Sequence, residues 1–304
     1  MANFSEETLK SWYKPASETE DTKINNVINM IKKAIQSSDE FDSLKYEIFV
    51  QGSYGNNTNV RVNSDVDVNV MLTSTFFTCY PEGKNDADYS FSEGTISYSD
   101  YKERVIRALK KKFGADSISL GNKSVKISSN SYRVNADCVI SMQYRNYNVI
   151  NSTNPNNYVE GIKYFANDGK TVINYPKEHI ENGNSKNVAT NHQYKKLVRI
   201  FKRVRNKMSE EGLIEKDKIT SFLVECLVWN IPNTTITKYS TWNETVKQAI
   251  IYLYHAIKDN KCSEWGEVSD WLYLFHSSRK WTKDDAQDFL LKMWIYMGYG
   301  NENN

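Results

Sequence analysis

Three aspartates and one Gly-Ser pair are the residues of this 304-residue chain whose types and spacing can do chemistry. The stretch Gln51–Leu72 reads QGSYGNNTNVRVNSDVDVNVML. It opens on Gly52-Ser53 and passes a turn-forming run through Gly55, Asn56, Asn57 and Thr58. It then enters a segment in which Asp65, Asp67 and Asn69 alternate with Val66, Val68 and Val70. Period-two alternation predicts a strand over 60–72, and residues two apart share a face. Asp65 and Asp67 therefore project side by side from a sheet whose other face is apolar. Carboxylates that close repel each other, and a cation between them relieves the repulsion. Hard oxygen ligands on a rigid frame suit Mg²⁺, which also takes phosphate oxygens from a substrate. Gly52 lets the backbone approach a phosphate closely, while Ser53 adds a hydroxyl and amides. An Asp-x-Asp pair alone is more often just a solvated strand face; the Gly-Ser turn roughly a dozen residues upstream favours the chemical role.

A third carboxylate stands in YRVNADCVISMQY, residues 132–144, where Asp137 interrupts an apolar strand between Ala136 and Cys138. A buried acid is expensive unless it is paired or holds a metal. Arg133 or Arg145 would pair with it in a salt-bridged core, but two carboxylates upstream favour a third metal ligand. Three carboxylates can hold two Mg²⁺ ions, or Mn²⁺ in their place. One ion lowers the pKa of an attacking hydroxyl and the other neutralises a triphosphate and its leaving pyrophosphate. Asp65, Asp67 and Asp137 are thus the candidate catalytic and metal-binding residues, with Asp137 helping to deprotonate the nucleophile. The chemistry is nucleotidyl transfer.

The elements that must position these groups are mostly visible. Residues 17–37 predict a helix with Ser17 and Glu20 as a capping box and Ile24, Val27, Ile28, Ile31 and Ile35 as its apolar stripe. Tyr46, Ile48 and Val50 alternate as a strand that ends at Gln51-Gly52-Ser53. Residues 73–98 are expected to be a long loop. A second helix is expected over 100–113, burying Tyr101, Val105, Leu109 and Phe113, and short strands over 117–120 and 124–128. Residues 146–193, rich in Asn and punctuated by Gly and Pro, are expected to be a linking region; His179 and His192 within it are expected to be polar loop residues. Helices follow over 194–208, 222–229, 242–257 and 282–297, the last opened by a Thr282–Asp285 capping box. The first of these surrounds its apolar stripe with Lys195, Lys196, Arg199, Lys202, Arg203 and Arg205, the pattern of a solvated basic face. The tail GYGNENN is expected to be disordered.

Composition narrows the classes. A hydrophobic fraction of 39% and an aromatic fraction of 13% belong to a folded globular protein. The net charge of +2 predicts no nucleic-acid binding by itself. There is no apolar run of membrane-spanning length, and MANFSEETLK is too polar for a signal peptide. Cys79, Cys138, Cys226 and Cys262 stand far apart with no close Cys/His spacing. That pattern excludes a zinc module and favours a reducing cytoplasm, with no membrane partner.

Gly52-Ser53, Asp65-x-Asp67 and the later Asp137 together resemble the nucleotidyltransferase superfamily built on a polymerase-beta-like palm. The order of parts is similar to the branch holding cyclic GMP–AMP synthase, oligoadenylate synthase and their bacterial cGAS/DncV-like relatives, the CD-NTases. The resemblance implies an α+β fold: a mixed-sheet palm over 1–165, including an N-terminal spine helix, packed on a helical nucleotide-binding lobe over 166–304. It also implies that Gln51, Gly52 and Ser53 bind nucleotide. Through the LVRIFK and SFLVE patterns it implies that Lys202 and Ser221 contact the donor triphosphate. Phe222 takes the place of an aromatic, commonly Tyr, that stacks on a base.

On this resemblance the chain is expected to join nucleoside triphosphates into a cyclic di- or trinucleotide second messenger in antiphage (CBASS) signalling. A downstream effector activated by the cyclic nucleotide is expected as partner, and the enzyme itself is expected to be a monomer. The alternatives are transfer of a nucleotide to RNA, protein or a small molecule, and an inactive nucleotide-binding regulatory module. The chain has no counterpart of the zinc insertion used for DNA sensing, its charge does not suit a long duplex groove, and NYP…H…N…T looks bacterial. It ends in Asn304, which does not match activation by C-terminal conjugation through a small terminal residue.

Overall fold

The computed structural model describes residues 2–15, 18–60 and 65–300, with backbone alone for residues 18–20. In chain order the helices are α1 (Glu6–Trp12), α2 (Glu18–Gln36), α3 (Gly52–Gly55), α4 (Tyr98–Phe113), α5 (Pro176–Ala189), α6 (Tyr194–Glu210), α7 (Ser221–Trp229), α8 (Asn233–Thr237), α9 (Trp242–Lys258) and α10 (Lys283–Tyr296). The strands are β1 (Tyr46–Gln51), β2 (Val66–Cys79), β3 (Ile118–Leu120), β4 (Val125–Ile127), β5 (Ala136–Asn146), β6 (Val159–Phe165) and β7 (Thr171–Asn174). The chain divides into two units. One is Ser17–Gly55 with Arg61–Lys177; the other is Met1–Ala16, Asn56–Val60 and Glu178–Asn304.

The first unit is a mixed sheet. β1 runs antiparallel to β2, and β2 runs parallel to β5. β5 then meets β4 along its first residues and β6 along its last, both antiparallel, while β3 and β7 complete the order outside them. A parallel β2–β5 pair needs a crossover, which α4 and the β3–β4 hairpin supply. The alternation of β2 works as expected: Val66, Val68, Val70 and Leu72 are fully buried in one cluster with the stripes of α2 and α4. Each such aliphatic side chain contributes roughly 1.5–3 kcal/mol by leaving water. The opposite face carries Asp67, Asn69 and Met71 on β2 and Asp137, Val139 and Ser141 on β5. A small apolar cluster of Met71, Val139, Ile162 and Tyr164 lies there.

The second unit is helical and centres on α6, whose Leu197, Ile200, Phe201, Val204 and Met208 have no exposed surface. α1 joins this core through Leu9 and Trp12. Glu6 accepts hydrogen bonds from the amides of Trp242 (2.9 Å) and Asn243 (3.1 Å), so a residue from the other end of the chain satisfies the first turn of α9. The Thr282–Asp285 capping box forms as expected.

Several expectations are corrected. Placing a boundary after residue 165 would cut the β6–β7 hairpin; the units separate after Lys177, and residues 1–16 group with the helices rather than with the palm. The supposed loop at 73–98 continues β2 to Cys79, past an irregularity between Leu72 and Phe76. The supposed linker at 146–193 contains β6, β7 and α5. Four of the six basic residues named on α6 are not solvated: Lys195, Arg199, Lys202 and Arg205 are buried, while Lys196 and Arg203 are half-buried. Arg199 reaches the carbonyls of Tyr13 and Asn57, and Arg205 those of Lys216 and Ile219, so their charge satisfies loop backbone. The tail does not begin at Gly298, because Tyr299 is buried and its hydroxyl donates to the Asn243 carbonyl at 3.1 Å. Ser17, residues 61–64 and residues 301–304 lie outside the described residues, as does the Glu20 side chain, so the first capping box and the end of the tail are not described.

Candidate active site

Strand register brings the acidic residues together. Asp67 and Asp137 are Cα partners across the parallel β2–β5 pair, and Gln51 is the partner of Asp67 across β1–β2. Lys126 of β4 is opposite Asp137 on the far side. One line across four strands thus reads Gln, Asp, Asp, Lys. Asp65 lies exposed just before β2.

The field at this line is strongly negative. Burial pushes the Asp67 carboxyl up to about 7, and the charges of Asp137 and Asp65 push the same way. Asp137 is also raised, first by burial and then by Asp65, while a hydrogen bond from Ser124 and the charge of Lys126 pull it back. Neither arginine offered as a salt-bridge partner holds it. Arg133 donates to the Ser128 carbonyl and Ser117 hydroxyl, and Arg145 donates to Gln143 and lies 3.5 Å over the Phe76 ring.

Gly52 explains why the motif needs glycine. Its φ is +65°, and a Cβ there would come 2.3 Å from Asp67 Oδ2. The carboxylate therefore occupies the space that a side chain at position 52 would fill. Ser53 follows in the short α3 and is partly exposed. Among the described residues no three His, Cys, Asp or Glu side chains converge to metal-holding distance, so the aspartates are coupled neighbours rather than a closed cage. Their chemistry nevertheless fits a divalent cation: hard oxygen donors, mutual repulsion, and a cation as the group that relieves it.

In the helical unit a different polar centre forms. Glu225 of α7 is buried, and its carboxylate accepts from Asn56 Nδ2, Thr58 Oγ1 (2.8 Å), His179 Nε2 (3.0 Å) and Lys202 Nζ. Lys202 also donates to Thr58 Oγ1 at 3.0 Å. Burial opposes the charge on Glu225, but Lys202 and then His179 outweigh it and hold the carboxyl far below its ordinary range. Lys202 is thus not an open phosphate ligand in this conformation. His179 is no loop histidine either: it sits on α5, buried, with its ring 5.9 Å from Phe222 at an interplanar angle of 29°. Phe222 is partly exposed, with Trp281 at 6.1 Å on another side. Ser221 is the first residue of α7, capped by Thr220, whose hydroxyl accepts from the Leu223 amide.

Of the expected site residues, Gln51, Gly52, Ser53, Asp65, Asp67 and Asp137 belong to the sheet unit, and Lys202, Ser221 and Phe222 to the helical unit. Glu225 is not among the residues the sequence points to, and Asn56 and Thr58 read there only as turn formers. The signal available was a lone acid inside the apolar run SFLVECLVW, the same kind that exposed Asp137.

A family model of the cGAS/DncV-like nucleotidyltransferase C-terminal helical domain matches residues 181–298. The chain is 43% identical over 300 residues to the cyclic dipyrimidine nucleotide synthase CdnE of Cecembia lonarensis, spanning 98% of this chain and 100% of that relative. It is 38% identical over 294 residues to the cyclic dipyrimidine nucleotide synthase CdnE of Legionella pneumophila, spanning 96% and 97%. Among solved structures, the CdnE c-UMP-AMP synthase of Rhodothermus marinus, held with Apcpp and Upnpp, is similar with a TM-score of 0.87 and 30% identity over 99% of each chain.

Proposed function

Because the chain belongs to the cGAS/DncV-like nucleotidyltransferases, we propose that it joins nucleoside triphosphates into a cyclic dinucleotide, releasing pyrophosphate in a reaction that needs a divalent metal. The observation that carries this is the Asp67–Asp137 register pair, with Asp65 beside it and Gly52 packed against Asp67.

Asp65, Asp67 and Asp137 would hold Mg²⁺ or Mn²⁺, two ions in all, which supply charge neutralisation of the triphosphate and a lowered pKa for the attacking hydroxyl. Asp67, raised more strongly than Asp137, would bind the metal in competition with a proton. Asp137 is raised less and stays partly exposed, which suits it to take the proton of the attacking ribose hydroxyl. Gly52 and Ser53 offer a backbone of close approach and a hydroxyl to the phosphates. Ser221 offers a second hydroxyl, and Phe222 the face of a base platform. Lys202 meets phosphate only by leaving its pair with Glu225, so its main role is to hold the helical unit together.

The two relatives named as cyclic dipyrimidine nucleotide synthases favour a pyrimidine pair as product, with UTP and CTP as substrates. The product acts as a second messenger on a cyclic-nucleotide-activated effector in antiphage (CBASS) signalling. The test is incubation of the purified chain with the four ribonucleoside triphosphates and Mg²⁺ or Mn²⁺, followed by phosphatase and mass analysis. A phosphatase-resistant cyclic product supports the proposal. Label appearing only on RNA or protein instead supports the macromolecular-acceptor alternative.

A further inference from the structure

The sheet face that carries the aspartates also carries a buried polar relay with no part in the chemistry above. Ser141 Oγ donates to Asn69 Oδ1 at 2.7 Å, and Asn69 Nδ2 donates to Gln51 Oε1 at 3.0 Å. Ser141 and Asn69 have no exposed surface, and they lie on the two central strands of the sheet. Apolar residues would fill these positions at lower desolvation cost, so a polar relay there is retained for what it orients.

The relay has a direction. A hydroxyl that donates to the Asn69 carbonyl turns the Asn69 amide nitrogen toward Gln51, which in turn must present its oxygen. The remaining end of the Gln51 amide is a pair of N–H donors, for which the described residues supply no acceptor. Gln51 is opposite Asp67, whereas Asn69 is two residues further along β2. With the oxygen drawn toward Asn69, the N–H₂ is the end of the amide left for the Asp67 end of the strand, where Gly52-Ser53 follow Gln51 in the chain. The negative field of the aspartates favours the same orientation.

We propose that Asn69 and Ser141 are positioning residues that aim the Gln51 N–H₂ at a phosphate oxygen of the bound nucleoside triphosphate, a role that rests on the nucleotidyl-transfer proposal above. Gln51 is the residue that touches substrate; the other two act through it. A plain alanine or leucine at position 51 could not be compensated by either.

The experiment measures, on the full chain with Mg²⁺, the Kd of non-hydrolysable UTP and ATP analogues together with KM and kcat. The variants are Gln51→Ala, Asn69→Leu, Ser141→Ala, Asn69→Leu/Ser141→Ala and Gln51→Ala/Asn69→Leu. Losing a hydrogen bond to a charged phosphate is expected to weaken Kd and KM about tenfold in Gln51→Ala and in Asn69→Leu, with kcat changed about twofold or less. Asn69→Leu leaves the Ser141 hydroxyl unpaired in the core, so melting is recorded alongside. Asn69→Leu/Ser141→Ala removes both partners, regains the stability and must keep the weakened Kd. Gln51→Ala/Asn69→Leu must bind no more weakly than Gln51→Ala alone, because a relay acting through Gln51 has nothing left to orient. A wild-type Kd in Asn69→Leu/Ser141→Ala, or losses that multiply in Gln51→Ala/Asn69→Leu, would overturn the relay. Absence of product from the wild type would overturn the transfer chemistry instead, and the Kd values would still decide the relay.

Discussion

At the scale of single residues, the decisive quantity is the proton on Asp67. Its folded pKa of about 7 lies above the ordinary carboxylate value of 3.8. The folded state therefore holds the proton more tightly than the unfolded chain. The resulting stability is fully present below about pH 4 and is lost as pH rises through about 7, on the order of 4 kcal/mol in the metal-free protein. Glu267, also raised to about 7 by burial despite Arg279, adds a slope in the same window. Thermal melts should show metal-free Tm falling between about pH 4 and 7 and levelling above, with Mg²⁺ restoring stability at pH 8 and doing little at pH 5. Asp67→Asn should remove the Mg²⁺-dependent part and leave the Glu267 part. Equal Mg²⁺ shifts at both pH values would contradict this account. Gly52 makes a second prediction at this scale. In Gly52→Ala the left-handed φ costs about 1–2 kcal/mol, and the new Cβ displaces the Asp67 carboxylate. Activity should fall about a hundredfold while the fold persists, as kcat beside a melting curve would check.

Among the elements, legibility followed the way each one is buried. α2, α4 and β2 bury apolar stripes, and their periodicity was plain in the sequence. α5 was missed because its inner side is polar. His179 meets Glu225, Asn182 donates to the Val268 carbonyl, Lys186 donates to the Ile231 carbonyl, and Gly183 lies so close to Asn56 that a Cβ would come 2.3 Å from Oδ1. A helix docked by hydrogen bonds leaves no hydrophobic period to read. β6 was missed for a related reason: Gly161 interrupts its alternation, where the Asn174 carbonyl and the Tyr175 ring press against it. The Glu225 centre joins α5, α6, α7 and the 56–58 segment, so it should be sensitive to losing one partner and tolerant of losing two. Glu225→Ala should destabilise by about 3–5 kcal/mol in urea unfolding. Glu225→Leu combined with Lys202→Met should recover most of that loss; equal destabilisation by the single and paired changes would show that the ion pair is not what holds these helices.

For the whole molecule, the class of fold and the kind of chemistry were legible from a few residues, because nucleotidyl transfer needs carboxylates at fixed strand positions and a backbone free to approach phosphate. The division of the chain was not legible. Residues 1–16 and 56–60 belong with the helices, and nothing local in Leu9, Trp12, Asn56 or Thr58 announces a partner more than a hundred residues away. The measurement that bears most directly on the central claim is the mass of the phosphatase-resistant product formed from the four ribonucleoside triphosphates. It is made for wild type, Asp67→Asn and Asp137→Asn, with melting curves confirming that all three are folded. The account predicts a cyclic dinucleotide from wild type, pyrimidine-containing, and none from either variant. The same cyclic product from folded Asp67→Asn or from folded Asp137→Asn would contradict it.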